Sequence, residues 1–157
     1  MNTKQVIVFR KDLLKGEHAI RKGKFAGQVA HASMASLLKL FNIERIEYKQ
    51  IAALGDAEPG QFSTRYSTSF KDGSVLDNWL GGIFTKIVVS VEGEEELLTL
   101  VKELERTNAQ EGKCIPYALI TDCGKTEFGG TPTITCLGIG PYISEDLDRL
   151  TGELPLL

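Results

Sequence analysis

The chain has 157 residues, 25% of them charged and 42% hydrophobic, with a formal net charge of −3. That length and balance fit one globular domain able to bury about two-thirds of its unfolded surface. They argue against indiscriminate nucleic-acid binding, and no apolar run nears the ~18 residues needed to span a bilayer.

In chain order, residues 4–10 (KQVIVFR) form a short run rich in Val and Ile that predicts a strand. The amino-terminal Met1–Asp12 stretch, which contains this run, has neither the apolar core nor the cleavage site expected of a signal peptide. A basic, glycine-containing loop follows to about residue 22. Lys4, Arg10, Lys11, Lys15, Arg21, Lys22 and Lys24 face only Asp12 and Glu17 in this part of the chain. The acidic excess lies elsewhere, notably at Glu92–Glu96 and Glu145-Asp146. A basic patch on an acidic protein is what one defined polyanionic ligand requires, although a solvated surface of uneven charge reads the same way.

Residues 24–41 predict a helix with Ala26, Ala30, Ser33 and Leu37 on one face and Lys24, Gln28, His31 and Ala35 on the other. IERIEYKQIAAL (43–54) is compatible with a second helix, stopped by Gly55–Gly60. FSTRYSTSFKDGS then reads as an ordered loop or a small hairpin. IFTKIVVSV (83–91) predicts a strand, and residues 94–107 a helix buried through Leu97, Leu98, Val101 and Leu104. PYALITD (116–122) and TITCLGIG (133–140) predict two more strands. Ser144 is the expected N-cap of a short last helix ending at Gly152. Alternating strands and helices imply a layered α/β fold, and the short glycine-rich link before residue 133 implies an antiparallel pair and a mixed sheet.

Several familiar chemistries are absent. Gly124-Lys125-Thr126 resembles the end of a P-loop, but Leu119 occupies the position that needs glycine. Gly138-Ile139-Gly140-Pro141 lacks the third glycine of a dinucleotide fingerprint, and there is no GxSxG elbow. His18 and His31 are too few for a zinc site. Cys114, Cys123 and Cys136 form no CxxC pair and leave one thiol unpaired in any disulfide scheme. A reducing cytoplasm is therefore expected, and neither metal nor cofactor is called for.

Two stretches remain, KGKFAGQVAHAS (22–33) and TDCGKTEFGGTPT (121–133). Read locally, Asp122 makes an Asx-turn, Gly124 and Gly129-Gly130 supply positive φ, and the threonines cap loose backbone groups. Taken together, the stretches resemble the signatures of the type II peptidyl-tRNA hydrolases, in which a G-K-G-K-x-A-A-Q-x-x-H-A helix precedes a D-A-G-x-T-x segment. The matching residues are Lys22-Gly23-Lys24, Ala26, Gln28, His31-Ala32, Asp122, Gly124, Thr126, Thr135, Gly138–Pro141 and Thr151–Leu154. The resemblance spans residues 4–41 and about 83–157. Gly27, Cys123, Lys125 and Glu127 stand where the family usually has Ala, Ala, Arg and Gln.

The resemblance implies a three-layer α/β/α sandwich around a four-stranded mixed sheet, ordered 2-1-4-3 with the last strand antiparallel. It implies one domain over 1–157, with a longer variable segment at about 42–82, that hydrolyses the peptidyl-tRNA ester with an activated water. Lys24, Asp122, Thr126 and Thr135 are then the expected catalytic residues. Gln28 and His31 support them, and Arg10, Lys11, Lys15, Arg21, Lys22 and Lys125 hold the tRNA backbone. A homodimer is also implied, and the aromatic residues Phe62, Tyr66, Phe70, Trp79 and Phe84 would serve an interface or a lid. The alternatives are a non-catalytic RNA- or protein-binding member of the fold, or a hydrolase of another small ester or amide.

Overall fold

The computed structural model describes residues 1–17, 19–47 and 62–157. Its first strand, β1 (Thr3–Arg10), is buried on both faces, as its unbroken apolar run requires. A single 3₁₀ turn (Lys11–Leu14) and a loop lead to α1 (Lys22–Leu38). The strands β2 (Asn42–Glu47) and β3 (Phe62–Ser67) pair antiparallel as a separate two-stranded sheet. Then come α2 (Val75–Leu80), β4 (Lys86–Val91), α3 (Glu94–Glu111), β5 (Tyr117–Asp122), β6 (Thr133–Ile143) and α4 (Ser144–Thr151).

The main sheet is mixed and four-stranded, in the order β4-β1-β6-β5. β4 runs parallel to β1, whereas β6 is antiparallel to both β1 and β5. The antiparallel pairing expected from the glycine-rich link is thus present. β1, β4 and β5 all point their carboxyl ends one way, and β6 starts at that end. Val6 and Val8 join the apolar cluster that includes Leu97, Leu104 and Leu147. Ile7 and Phe9 point the other way, toward Ala32, Ala118 and Ile120. Among the described residues, no helix is long and apolar enough to cross a membrane.

Four expectations change. The helix considered for 43–54 is replaced by strand over Asn42–Glu47, because this segment finds a ladder partner in the β-branched and aromatic FSTRYS. The remainder of that segment and its Gly55–Gly60 stop lie outside the described residues. The buried face of α1 carries Gln28, Ala32 and Ser36, while Ala26 and Ala30 are exposed. Alanine's small side chain gave no strong preference, and Gly138 decides the matter. A β-carbon there would stand 2.2 Å from the Ala32 carbonyl oxygen, so helix and strand touch backbone to backbone at that point. In α3 the buried leucine is Leu100 rather than Leu98. Ser144 is the first residue of α4 and makes no side-chain cap; its N–H donates to the Asn2 carbonyl at 2.9 Å.

Of the aromatic residues assigned to a lid or interface, Trp79 is 1% exposed and donates its indole N–H to the Thr85 carbonyl. Phe84 stacks on it at 3.9 Å. Tyr66 and Phe70 are exposed, and the side chain of Phe62 lies outside the described residues.

Candidate active site

The site forms where β5 ends and α1 begins. Asp122 closes β5 and is 9% exposed. Its Oδ1 accepts the Gly124 N–H at 2.8 Å, the Asx-turn expected from the sequence. Gly124 has φ +78°, and a β-carbon there would meet the Thr131 carbonyl at 2.4 Å, so the turn demands glycine. Oδ2 accepts from both the Lys24 ammonium and the Gln28 amide, the latter at 2.8 Å. Lys24 also donates to Thr126 Oγ1 at 3.1 Å. Two stretches almost a hundred residues apart therefore meet through one carboxylate.

Charge explains why the partners hold. Lys24 lies in the first turn of α1, which contains no acidic residue, so its cation stands at the positive end of the helix dipole. Asp122 relieves that conflict. In return, the hydrogen bond from Lys24 holds the Asp122 carboxyl below its ordinary value, with the Gly124 and Gln28 donors acting the same way against burial.

Thr135 lies beneath this cluster with no exposed surface and donates its hydroxyl to Gln28 Oε1 at 2.7 Å. That bond fixes which end of the amide is the oxygen, and so turns the Gln28 NH₂ toward Asp122. Thr135 reaches the carboxylate only through Gln28. The neighbouring Cys136 thiol is pushed up to about 11 by burial, which leaves it without nucleophilic character. His31 is exposed and makes no side-chain hydrogen bond among the described residues. The supporting hydrogen bond expected of it is not formed, because one further helical turn carries the imidazole past the carboxylate.

The expected phosphate-binding residues divide. Arg10 is 9% exposed, and its guanidinium is occupied by Asp12, Glu94 and the Ile134 carbonyl. It ties β1 to α3 and β6 instead of meeting solvent. Lys11 and Lys15 share Glu92 at 3.1 and 3.8 Å. Arg21 pairs with Glu127 at 2.6 Å, which links the start of α1 to the glycine-rich loop. Lys22 and Lys125 are exposed. Phe128 escaped the sequence reading: its ring lies 5.7 Å from the Lys24 ammonium. An aromatic residue inside a glycine-rich loop was the available signal.

Fold and cluster together define an α/β protein with an ammonium, a carboxylate and a hydroxyl gathered at the carboxyl ends of parallel strands, the usual location of α/β sites. The model of the family described as peptidyl-tRNA hydrolase PTH2 matches residues 3–157, and the chain belongs to this family. A peptidyl-tRNA hydrolase of Methanopyrus kandleri is 34% identical over 154 residues, covering 98% of this chain and 97% of that protein. Peptidyl-tRNA hydrolases of Saccharolobus solfataricus and Saccharolobus islandicus are each 32% identical, with 98% of both chains covered.

Proposed function

We propose that this protein hydrolyses the ester joining a peptide to the terminal ribose of tRNA, releasing peptide and free tRNA by direct attack of water. The observation that carries the reading is the Lys24–Asp122–Thr126 cluster in a member of the PTH2 family. An ammonium has three donors. Asp122 and Thr126 take two, and the third is directed to the oxyanion that develops on the ester carbonyl. Thr126, which accepts from Lys24, has its own O–H proton to give to the water or the carbonyl. Asp122 keeps acceptor capacity on Oδ1 to orient the water. With its carboxyl held below the ordinary range it is a weak base, so orientation is its larger part. Gln28 and Thr135 are positioning residues that hold the carboxylate still.

Lys11, Lys15, Arg21, Lys22 and Lys125 surround this end of the sheet and grip the tRNA backbone, a contact that carries no sequence information. Arg10, being buried, is left out of that surface. Residues 1–157 act as one domain. The three-layer arrangement is supported by separate clusters on the two faces of the sheet, and the order 2-1-4-3, counting the main sheet alone, by the ladder partners of β1 and β6. A homodimer is supported by exposed Tyr66, Phe70 and Ile83, and a cytoplasmic setting by three free thiols.

Release of peptide from N-blocked aminoacyl-tRNA tests the function. Wild type releases it; Lys24→Ala loses roughly 10²-fold or more in kcat, the cost of one preorganised oxyanion group, and Asp122→Ala loses roughly 10²-fold or more through the water it no longer orients. A wild-type protein that binds tRNA without releasing peptide would be the non-catalytic member of the fold, and the proposal fails.

A further inference from the structure

The two edges of the main sheet differ. At β4 the outer edge is closed by the carboxyl-terminal segment: Leu157 N–H donates to the Val88 carbonyl at 3.1 Å and Ser90 N–H to the Pro155 carbonyl at 2.9 Å. At β5 the outer edge has no strand partner among the described residues. Open edges are normally blocked by charge, proline or a bulge pointing into the way. β5 reads YALITD, with a single charge, and that charge is the buried Asp122.

A groove runs along this open edge. One concavity of about 450 Å³ lies between β5, α1 and β2, with His31, Ala35, Ile43, Ile120 and Thr121 in its wall. A second, of about 360 Å³, continues it past Tyr117 to Ile115; the two share Lys39, Ala118 and Leu119. Together they follow the whole length of β5, roughly 20 Å for a strand of this size. The groove ends at Thr121, one residue before the carboxylate that holds Lys24.

We propose that the peptidyl part of the substrate docks in this groove as an added strand on the open edge of β5, running parallel to β5. The inference rests on the hydrolase reading given above. Its direction follows from chemistry. The scissile ester is at the carboxyl terminus of the peptide, so that terminus must lie at Asp122 and Lys24, and the rest of the peptide must extend away from them. β5 also has its carboxyl end at Asp122, which makes the two strands parallel. Backbone hydrogen bonds to an edge do not depend on side chains, so a hydrolase serving many peptides gains affinity without selecting among them. The apolar part of the wall, made by Ala35, Leu38 and the 60% exposed Ile43, favours apolar side chains at alternate peptide positions. His31 gains a place in this arrangement, beside the peptide rather than on the reacting ester.

The experiment compares N-acetylated one-residue tRNA with N-acetylated pentapeptidyl-tRNA carrying apolar residues. Wild type shows a KM roughly tenfold lower for the longer substrate, the effect of two or three net backbone hydrogen bonds. N-methylation at alternate peptide nitrogens removes that advantage on the wild-type enzyme. Ile43→Glu reduces the ratio of the two KM values toward one, and the one-residue substrate measured on the same variant controls for its folding. Equal KM values in wild type, or an advantage that survives N-methylation, overturn the docking mode while the hydrolase reading stands. Hydrolysis of neither substrate overturns both.

Discussion

The two faces of the main sheet are built on different principles. The face under α3 and α4 is apolar at its centre, with Val6, Val8, Leu97, Leu104, Leu137, Ile139 and Leu147 each at most 1% exposed. Charge appears only at its margins, where Lys4 meets Asp148 and Arg10 meets Asp12 and Glu94. The face under α1 buries polar groups in its interior. Gln5 bonds Ser33 and Ser36, Thr135 bonds Gln28, and Gln28 bonds Asp122. Hydrophobic burial is strong but not directional, whereas a satisfied hydrogen-bond chain is directional and costly to disturb. The first face stabilises the fold. The second uses part of its interior to aim one carboxylate.

The largest expected effect breaks the comparison on the apolar side. Leu104→Ala removes a fully buried side chain and destabilises the protein by about 3 kcal/mol, read from the denaturant midpoint. Its kcat at a temperature where it stays folded matches wild type; a large loss of kcat would mean that the apolar face also sets site geometry. Thr135→Val, on the polar side, keeps the shape and deletes the donor to Gln28 Oε1. Stability falls by only about 1–2 kcal/mol, the usual cost of a buried acceptor without a partner. The amide is then free to turn, and kcat falls roughly tenfold with KM little changed. An unchanged kcat would reduce Thr135 to a packing residue.

Much of this contrast was legible in the sequence. The KQVIVFR run, Leu97 and Leu104 of α3 and the acid-then-glycine turn at Asp122-Cys123-Gly124 each state their structure through local spacing. Lys24, Asp122 and Thr126 were singled out from residue type and resemblance, and the fold brings them together. Three things were not legible. The buried face of α1 depended on the backbone approach at Gly138, a contact across a hundred residues that alanine periodicity does not encode. By residue type Arg10 is one more cation of the basic patch, and only the positions of Asp12 and Glu94 turn it inward. The strand at Asn42–Glu47 depends on its partner, since a strand gains little until another pairs with it.

The smallest expected effect isolates the charge at the centre of the polar face. Since Lys24 holds the Asp122 carboxyl below its ordinary value, folding binds fewer protons at this group than the unfolded chain does. The pair therefore contributes its full stability above the unfolded value for Asp, about 3.9. That contribution is lost as pH falls through the lowered folded value, where the carboxylate must protonate to follow solution. Lys24→Met removes the largest cause of the lowering and leaves burial opposed by Gly124 and Gln28 alone, so the carboxyl of the variant titrates higher. Carbon-13 NMR of the Asp122 carboxyl reads that rise directly, and urea unfolding across pH reads its consequence. The stability gap between wild type and Lys24→Met is widest above about pH 4 and closes in more acidic solution. A gap of constant size across pH would show that Lys24 steadies this face through its hydrocarbon stem rather than its charge, and the polar face would then differ from the apolar one less than its hydrogen bonds imply.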